Sequence, residues 1–499
     1  MHETEHLDVL IVGAGLSGVG AAHYLQTECS WASYAIFESR DAIGGTWDLF
    51  RYPGIRSDSD MYTLGYSFRP WDGEKAIADG DSILQYIKDT ATDAGIDKHI
   101  RFHHRITAAN WSSEDAKWNV TAERTDTGET VTLSCGFIFS CSGYYRYDHG
   151  YQPDFAGMDD FAGTVVHPQA WPADLDFTGK KVVVIGSGAT AVTLVPALAA
   201  QSDHVTMLQR SPTYIVSVPA KNPLSKVLGR LLPGNTSGKL LRWMMALGTQ
   251  ATYQISHRYP APVKRFLLKS VAKQLPEGYD VATHFTPTYN PWDQRLCAVP
   301  NGDLFKAISN GSASVVTDHV ERFTETGIRL TSGAELEADV IITATGLELL
   351  FLGGIAVSVD GEALDIPSKL TYKGMMIQDV PNLAIAIGYT NASWTLKCDL
   401  TCDYVCRLLN HLRATGQLQA TPRNRDASIS TDEALLGLSS GYIQRSAHLL
   451  PRQGSKFPWQ VHQSYLRDFM ALKRGTITDP SMEFSHPDHQ TEPVVSVAS

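Results

Sequence analysis

The sequence predicts an α/β protein with two dinucleotide-binding, Rossmann-like domains and a helical insertion in the second domain. The apolar run 7–12 leads into the glycine-rich turn 13–18, and the run Lys181–Ile185 leads into a second such turn, 186–191. A third apolar run, 340–346, ends in Ala-Thr-Gly. Buried parallel strands are apolar on both faces. A glycine turn between such a strand and a helix indicates a nucleotide-binding unit.

Composition limits the class of protein. The chain has 499 residues, of which 43% are hydrophobic and 19% charged, which suits two or three globular domains. The net charge of −11 argues against nucleic acid as a partner. Residues 1–6 are polar without a signal-peptide pattern, and no apolar run reaches the ~18–20 residues of a membrane span. We therefore expect a cytoplasmic location, and we leave the oligomeric state open.

The seven cysteines include no CxxC pair, which fits free thiols in a reducing compartment. Cys398, Cys402 and Cys406 recur every four residues on a predicted helix. Three thiols on one helix face suit a metal site or a buried apolar face. No fourth ligand lies nearby in the sequence, so we favour the buried face and expect no metal.

In the first unit, each glycine has a separate purpose. Gly13 permits the tight turn, Gly15 lets the backbone approach a pyrophosphate, and Gly18 lets the helix pack on the strand. The helix N-terminus then offers free N–H groups to the phosphates. The second strand, Tyr34–Phe37, ends in Glu38, which is placed to accept hydrogen bonds from a ribose.

A second glycine-containing segment follows. Gly44-Gly45-Thr46-Trp47 precedes a Tyr-Pro-Gly turn at 52–54 and then Asp58. The glycines allow the chain to pass close to a flat ring system, and the aromatic residues provide apolar walls. A Gly/Pro-rich surface loop with solvated Asp58 and Asp60 is the alternative. A predicted helix at 82–95 and a meander of strands up to 133 lead to the buried run 137–143.

The segment 161–172 lies between the two nucleotide units. Its pattern is Phe161-x-Gly163-x-x-x-His167-x-x-x-Trp171-Pro. A segment in this place must connect the two domains. Taken alone, His167 is equally well explained as a loop histidine that caps a turn.

The second nucleotide unit carries Gly186, Gly188, Ala189 and Thr190 in its turn. Its next strand, 205–208, ends in Gln209-Arg210-Ser211 instead of an acid. An arginine here is the expected partner of a 2′-phosphate, which predicts NADP as the second dinucleotide. A surface arginine is the alternative.

Residues 221–276 hold ten Lys and Arg residues and no Asp or Glu. Apolar clusters alternate with these charges, so we predict a helical insertion with a basic face. Such a face suits peripheral contact with the inner, anionic face of the membrane, or guidance of an acidic cofactor inward. An ordinary solvated helix face accounts for the same pattern.

The expected domains follow from these motifs. Residues 1–148 and 380–499 form the first domain, including a disordered tail from about 485. Residues 149–220 and 331–379 form the linker and the second domain, and 221–330 form the insertion. The helix 395–412 follows the last strand of the first domain, and its N-terminus is expected to face the cofactor ring.

Taken together, these motifs resemble those of the class B flavoprotein monooxygenases, in particular those of the Baeyer–Villiger type. The resemblance covers nearly the whole chain and thins at 221–270 and after about 413. It implies FAD in the first domain and NADPH in the second. It also implies that reduced FAD reacts with O₂ to give a C4a-peroxide, which converts ketones to esters or lactones and also oxidises sulfides or thioamides.

The resemblance also assigns site residues. By the match of 290–297, Arg295 is the catalytic cation, with Asp58 orienting it and His167 coupling domain motion to cofactor position. Gln294 replaces a lysine that holds the NADP phosphate in many relatives. The residues expected to contact the cofactors are Gly13, Gly15, Ser17, Gly18, Glu38, Gly45, Thr46, Trp47, Asp58, Tyr62, Gly186, Gly188, Ala189, Thr190, Arg210, Ser211, Thr345, Gly346 and Asn391.

Two other flavoprotein classes compete. A flavin N/S-oxygenase has a similar linker, but usually with Tyr or Phe where this chain has Trp171. A pyridine-nucleotide disulfide reductase shares both dinucleotide folds, but it needs a redox cysteine pair soon after Glu38. Residues 39–60 contain no cysteine. For Arg295, a purely structural ion pair with Asp293 or another surface acid is the alternative role.

Overall fold

The computed structural model describes residues 5–232, 235–431, 433–437 and 440–487. The helices are α1 Leu16–Glu28, α2 Thr46–Leu49, α3 Met61–Leu64, α4 Gly80–Asp93, α5 Ala189–Leu198, α6 Pro223–Leu231, α7 Asn235–Arg258, α8 Pro260–Ala272, α9 Val281–His284, α10 Asp303–Ser309, α11 Trp394–Thr415, α12 Gly441–Ser446 and α13 Tyr465–Asp468.

The strands are β1 His6–Val12, β2 Tyr34–Phe37, β3 Ile100–Arg101, β4 His104–Ser112, β5 Lys117–Arg124, β6 Thr130–Ser140, β7 Thr164–Val166, β8 Lys181–Ile185, β9 His204–Gln209, β10 Ile215–Val218, β11 Cys297–Pro300, β12 Ala313–Thr317, β13 Val320–Thr324, β14 Gly327–Leu330, β15 Glu335–Glu337, β16 Val340–Thr343, β17 Ala356–Val359, β18 Glu362–Ala363, β19 Thr371–Tyr372, β20 Met376–Ile377, β21 Leu383–Ile385, β22 Gln419–Pro422, β23 Glu433–Ala434, β24 Arg452–Gln453 and β25 Met482–Ser485.

The first sheet has the order β18-β17-β4-β5-β6-β1-β2-β3, and β21 joins it beside β6. Strands β6, β1, β2 and β3 run parallel, whereas β4, β5 and β6 form an antiparallel meander. The predicted meander strand 130–133 and the buried run 137–143 prove to belong largely to one long strand, β6. Helix α11 packs against α1, and this contact buries the cysteines of α11.

The second sheet is entirely parallel, in the order β12-β9-β8-β16-β7. Its central strands are apolar because both faces of the sheet are covered. Helices α5 and α10 pack on one face, and strands β13 and β14 with Phe161 of the linker pack on the other. The predicted α/β fold with two Rossmann-like domains is confirmed.

Two predicted boundaries are wrong. The insertion was expected to extend to 330, but its helices end with α9, and β12 pairs with β9 inside the second sheet. The second domain was expected to continue to 379, but β17 pairs with β4 of the first sheet. Hydrogen bonding to a distant strand decides membership of a sheet, and the local pattern of residues 313–379 did not reveal those partners.

Among the described residues, no helix is long and apolar enough to cross a membrane. Nor does any group of three or more His, Cys, Asp or Glu in these ranges form a candidate metal site. Cys398, Cys402 and Cys406 are buried on α11, as the apolar-face interpretation predicted. Of the predicted disordered tail, residues 485–487 are described, with Ser485 ending β25, and residues 488–499 lie outside the described part of the chain.

Candidate active site

The first glycine turn is shaped by close backbone contacts. Gly13 has φ of +96°, and a Cβ there would lie 2.8 Å from the carbonyl oxygen of Cys141. A Cβ at Gly18 would lie 1.9 Å from the Gly13 carbonyl oxygen, because α1 packs directly on the turn. Gly15 is different, since its nearest neighbour would be the Cα of Gly45 at 3.5 Å. Gly13 and Gly18 are therefore required by the fold, whereas Gly15 leaves space beside the turn.

Glu38 is buried at the end of β2. Its Oε2 accepts a hydrogen bond from the backbone N–H of Ala14 at 2.7 Å, and its Oε1 accepts one from the backbone N–H of Arg40 at 3.0 Å. The carboxylate therefore joins the glycine turn to the segment that follows β2. It also lines the cavity described next.

A cavity of about 500 Å³ lies at the carboxyl ends of β1, β2 and β6. Ligands of open α/β sheets bind at this edge. The lining residues that the sequence singled out are Gly13, Gly15, Ser17, Glu38, Gly45, Thr46, Trp47, Asp58 and Arg295. The cavity therefore brings together four separate segments of the sequence, three from the first domain and one from the loop before β11.

Arg295 and Asp58 meet at this cavity. The Nε of Arg295 lies 3.2 Å from Oδ2 of Asp58, and about a third of each side chain is exposed, 35% and 32%. The carboxylate of Asp58 raises the pKa of Arg295 well above its ordinary value, against the opposing effect of burial. The guanidinium is thus a permanent positive charge facing the cavity.

Sequence reasoning missed the aromatic wall around this cation. Tyr144 stacks on Trp394 with ring centroids 5.1 Å apart, and its hydroxyl lies 3.2 Å from that of Tyr145. The indole Nε1 of Trp394 donates to Oγ of Ser17 at 2.9 Å. Burial raises the pKa of Tyr144 well above its usual value, so this phenol stays neutral. The position of Tyr144 and Tyr145 just beyond β6 is the sequence signal that could have identified them.

A buried ion pair supports the same wall from behind. Nζ of Lys397 lies 2.7 Å from Oδ2 of Asp468, and both side chains are almost fully buried. Asp468 also accepts a hydrogen bond of 2.8 Å from the hydroxyl of Tyr389, whose ring lines the cavity. A buried charge requires a partner, and here each charge has one. No local motif marked these residues.

The second glycine turn is joined to the loop between β9 and β10. Oγ of Ser187 donates to the carbonyl of Ser211 and lies 3.0 Å from the hydroxyl of Thr213. Gly188 and Ala189 are exposed, and no atom lies within 4 Å of a Cβ built on Gly188. Arg210 is exposed beside them at the end of β9. This arrangement leaves an open shelf with a cation at its edge.

The two domains touch near this shelf. Tyr52, from the turn after Trp47, packs into the core of the second domain, and the hydroxyl of Thr190 hydrogen-bonds to it. Arg56 Nη1 lies 2.5 Å from Oδ2 of Asp303 across the same boundary. The predicted ring-binding segment therefore also forms part of the contact between domains.

Three linker residues pack against the second domain, and of these Phe161 is buried and Trp171 half-buried. The ring of Phe161 packs edge-on against Phe323, with centroids 6.3 Å apart. A Cβ on Gly163 would lie 2.4 Å from the carbonyl oxygen of Asp339, so a larger residue would push β7 away from its neighbour. Trp171 packs at the edge of the core that contains α5. These three residues fix the linker to the second domain.

His167 bridges the linker and the Ala-Thr-Gly turn. Its Nδ1 accepts a hydrogen bond from the backbone N–H of Gln169, so Nε2 carries the proton and donates to the carbonyl of Gly346 at 3.2 Å. Burial lowers the pKa of His167. Thr345 donates from Oγ1 to the carbonyl of Tyr151 at 2.6 Å. Thr345 and Gly346 therefore hold the linker and the segment before it, and their direct contact with a cofactor stays a prediction.

Two further predicted contact residues lie away from the cavity lining. Tyr62 is buried under α7, and its carbonyl accepts a hydrogen bond from Arg242. Asn391 is buried, and its Nδ2 donates to the carbonyl of Gln463 at 3.0 Å. Both residues support neighbouring segments. Each is close in sequence to a lining residue, Asp58 or Tyr389, but its own side chain packs outside the cavity lining.

Comparison with known proteins places these features in a family. A sequence profile described as "Flavin-binding monooxygenase-like" matches residues 7–359. The chain is 54% identical over 483 residues to the FAD-containing monooxygenase EthA of Mycobacterium tuberculosis, covering 97% of this chain and 98% of EthA. It is 48% identical to the probable FAD-binding monooxygenase AlmA of Acinetobacter baylyi, covering 98% of each chain.

Solved structures share the fold at lower identity. An oxidised steroid monooxygenase bound to NADP has a TM-score of 0.77 at 22% identity, covering 96% of this chain and all of that one. A complex of OTEMO with FAD and NADP has a TM-score of 0.75 at 21% identity, covering 97% and 100%. The family predicted from the motifs is confirmed: this chain belongs to the flavin-binding monooxygenase-like family.

Proposed function

We propose that the protein is an FAD-containing, NADPH- and O₂-dependent monooxygenase of the Baeyer–Villiger type. It converts ketones to esters or lactones, and it also oxidises sulfides or thioamides. The observation that carries this proposal is the pair formed by Arg295 and Asp58, 3.2 Å apart, at the edge of the cavity beside the first glycine turn. A permanent cation at that place suits an oxygen atom on which negative charge develops.

The residues present fit FAD in the first domain. Gly15 and Gly45 both line the cavity and lie in close backbone contact, since a Cβ on Gly45 would lie 3.1 Å from the Cα of Gly15. Larger side chains would fill the space that a dinucleotide needs. The N-terminus of α1 offers unbonded N–H groups at the turn, where a pyrophosphate is favoured.

The residues of the second domain fit NADPH. Space at Gly188 allows close approach of a pyrophosphate to the turn, and Arg210 supplies a cation for the 2′-phosphate. Gln294, next to Arg295, provides no charge for that phosphate. We therefore assign the preference for NADPH mainly to Arg210.

Bound FAD, once reduced by NADPH, supplies the electrons that activate O₂. The side chain of Arg295 supplies a fixed positive charge before the reaction begins. It stabilises the negative charge that forms on the ketone oxygen when the carbonyl carbon becomes tetrahedral. Preorganised contacts of this kind lower a barrier by ~3–4 kcal/mol. Asp58 holds Nε of Arg295 and thereby fixes the direction of the guanidinium.

The aromatic wall has a separate role. Tyr144 and Trp394 stack beside Arg295, and Tyr389 closes the cavity next to them. These side chains keep water from the reacting atoms, and water exclusion protects reactive intermediates from hydrolysis. His167 does not line the cavity that holds Arg295 and the aromatic wall. It acts through the linker, in keeping with a role in domain movement.

The test is product formation from a ketone and from a thioether by the wild type and by Arg295→Ala and Arg295→Lys. For Arg295→Ala we expect flavin reduction by NADPH to persist. We expect ester formation to fall about 10²–10³-fold, with H₂O₂ released instead. Arg295→Lys should recover part of the activity. Ester formation at the wild-type rate by Arg295→Ala would refute the role of Arg295.

The same assay distinguishes a Baeyer–Villiger monooxygenase from a flavin N/S-oxygenase. A flavin N/S-oxygenase would oxidise the thioether and leave every ketone unchanged. Trp171 in the linker favours the Baeyer–Villiger type, since the N/S-oxygenases usually carry Tyr or Phe there. If the wild type consumes NADPH and O₂ and gives only a sulfoxide, the proposed ketone reaction is wrong.

A further inference from the structure

Exposed apolar side chains are concentrated on the helical insertion. In the described part of the chain, thirteen large hydrophobic residues are strongly exposed, and eight of them lie between 227 and 266. These eight are Val227, Leu231, Leu240, Met244, Leu247, Ile255, Tyr259 and Phe266. Two more, Leu466 and Met470, lie on or just after α13, which packs beside α7. Clustered exposed apolar surface of this kind usually marks an interaction site.

Helix α7 has an exposed apolar stripe and a buried inner face. Leu240, Met244, Leu247 and Ile255 recur at helical spacing, so they form one stripe, and each is between 41% and 53% exposed. Leu241, Arg242 and Ala246 define the opposite face and are buried against the first domain. The inner face accounts for the attachment of the helix. Packing within the described chain leaves the outer stripe largely uncovered.

Each of the three helices α6, α7 and α8 also carries an exposed cation. Arg230 on α6, Lys239 on α7 and Arg265 on α8 are all exposed. The segment 221–276 contains no Asp or Glu, although the whole chain carries a net charge of −11. Phe266 is 71% exposed and directly follows Arg265. An exposed aromatic side chain beside cations, on an amphipathic helix, suits the interface of a bilayer.

We propose that the outer face of α6, α7 and α8 binds the surface of an anionic lipid bilayer. The stripe of α7 and Phe266 enter the boundary between head groups and acyl chains, and the cations contact lipid phosphates. The segment has the charge that an anionic leaflet attracts, and this attraction is worth about a fivefold gain in affinity for each Lys or Arg. An apolar helix could also cover the stripe, but it would leave the cations without anionic partners.

The bound face lies close to the active site. The inner face of α7 contacts the cavity wall, since Ala246 packs with Tyr389. Tyr253, on the same helix, packs against Trp292, three residues before Arg295. The lipid-facing stripe and the cavity wall are thus separated by a single helix, about 10–12 Å across.

The test is flotation of the full-length, FAD-loaded protein with lipid vesicles. One set contains equal parts of phosphatidylglycerol and phosphatidylcholine, and the other contains phosphatidylcholine alone. We expect the wild type to float with the anionic vesicles, to bind less in high salt, and to bind the neutral vesicles poorly. Recovery equal with both lipids, or with neither, would overturn the proposal.

Two variants test the residues. Leu240→Gln with Met244→Gln should weaken binding at least about tenfold, through loss of apolar insertion. Arg230→Gln, Lys239→Gln and Arg265→Gln together should weaken it about fivefold for each charge removed. The matched controls are Leu418→Gln for the first and Lys98→Gln with Lys306→Gln for the second, all at exposed positions elsewhere. Controls that lose binding equally would overturn the assignment to this face.

A second copy of the chain is the competing occupant. Sedimentation without lipid distinguishes the two. If the wild type self-associates, Leu240→Gln with Met244→Gln abolishes this association, and neither protein binds vesicles, then the stripe is an interface between copies. That result overturns the proposal. Ketone turnover in detergent-free buffer should be unchanged in all these variants, since none of the altered residues lines the cavity.

Discussion

Nη2 of Arg242 lies 2.7 Å from Oδ2 of Asp399, and this buried ion pair joins the insertion helix α7 to the long helix α11. Nη1 of the same guanidinium donates to the backbone carbonyls of Thr63 and Gly65 at 3.0 and 2.5 Å. It therefore also satisfies the carboxyl end of α3. Arg242 is one of the ten basic residues of 221–276, but its side chain is buried and takes no part in an exposed basic face. The arginine instead attaches the insertion to the first domain.

We predict that Arg242→Met lowers the free energy of unfolding by ~3–5 kcal/mol, because it leaves the Asp399 carboxylate buried without a partner. Urea denaturation, followed by circular dichroism, measures the change. Arg230→Met, at an exposed position of α6, is the matched control and should cost little. A loss no larger than that of the control would contradict the prediction.

The same variant has a predicted pH dependence. Burial raises the pKa of Asp399 in the folded protein. A raised folded pKa favours the protonated form, so its contribution to stability is present at low pH and is lost as pH rises through that pKa. Arg242 opposes this rise, so its removal raises the folded pKa of Asp399 further. The deficit of Arg242→Met relative to wild type should therefore shrink on acidification toward pH ~4 and grow toward neutral pH.

Gly15→Ala and Gly188→Ala form a matched pair that assigns the dinucleotides. Both glycines have φ of −78°, which alanine adopts readily. The space for a Cβ is adequate at both, with the nearest atom 3.5 Å away at Gly15 and none within 4 Å at Gly188. Both variants should therefore fold. We expect Gly15→Ala to be isolated without flavin absorbance.

Gly188→Ala should retain flavin, and its KM for NADPH should rise roughly tenfold or more, equivalent to ~1.4 kcal/mol. Flavin content by absorbance and steady-state kinetics give both results. Loss of flavin from Gly188→Ala, with retention in Gly15→Ala, would mean that the two sites are assigned the wrong way round.

Arg210→Gln is predicted to reduce discrimination between NADPH and NADH. Loss of a charge-assisted hydrogen bond costs ~1.5–3 kcal/mol. The KM for NADPH should thus rise about 10–150-fold, while the KM for NADH changes little. Lys306→Gln removes an exposed cation from α10 in the same domain and serves as the control. Equal losses with the two coenzymes would exclude a role of Arg210 in binding the 2′-phosphate.

His167→Asn should alter the pH dependence of stability. Burial lowers the folded pKa of His167 below its ordinary value. The unfolded chain therefore binds the proton more readily, so the wild type loses stability as pH falls from ~6.5 through the lowered pKa. The difference in unfolding midpoint between wild type and His167→Asn should be largest near pH 7.5 and shrink toward pH 5. A difference that is independent of pH would contradict this prediction.

The sequence predicted those structural elements that depend on residues adjacent in the chain. A glycine turn between a buried strand and a helix requires particular residues at adjacent positions, so both nucleotide units could be located from their motifs. Asp58 and Arg295 could be named because each lies in a recognisable segment. The sequence also indicated that the cysteines of α11 form a buried face, since their spacing alone places them on one side of a helix.

Contacts between distant residues were decided only by the tertiary structure. The strands β12 and β17 are assigned to their sheets by hydrogen bonds to partners far away in the chain. Tyr144 reaches Arg295, and Lys397 reaches Asp468, through packing that no local pattern specifies. A sequence motif reflects the constraints that the backbone and a ligand place on residues adjacent in the chain, and it carries no information about distant partners. The burial of Arg242 and the exposure of Leu240, two residues apart on one helix, depend on which face of that helix another domain covers.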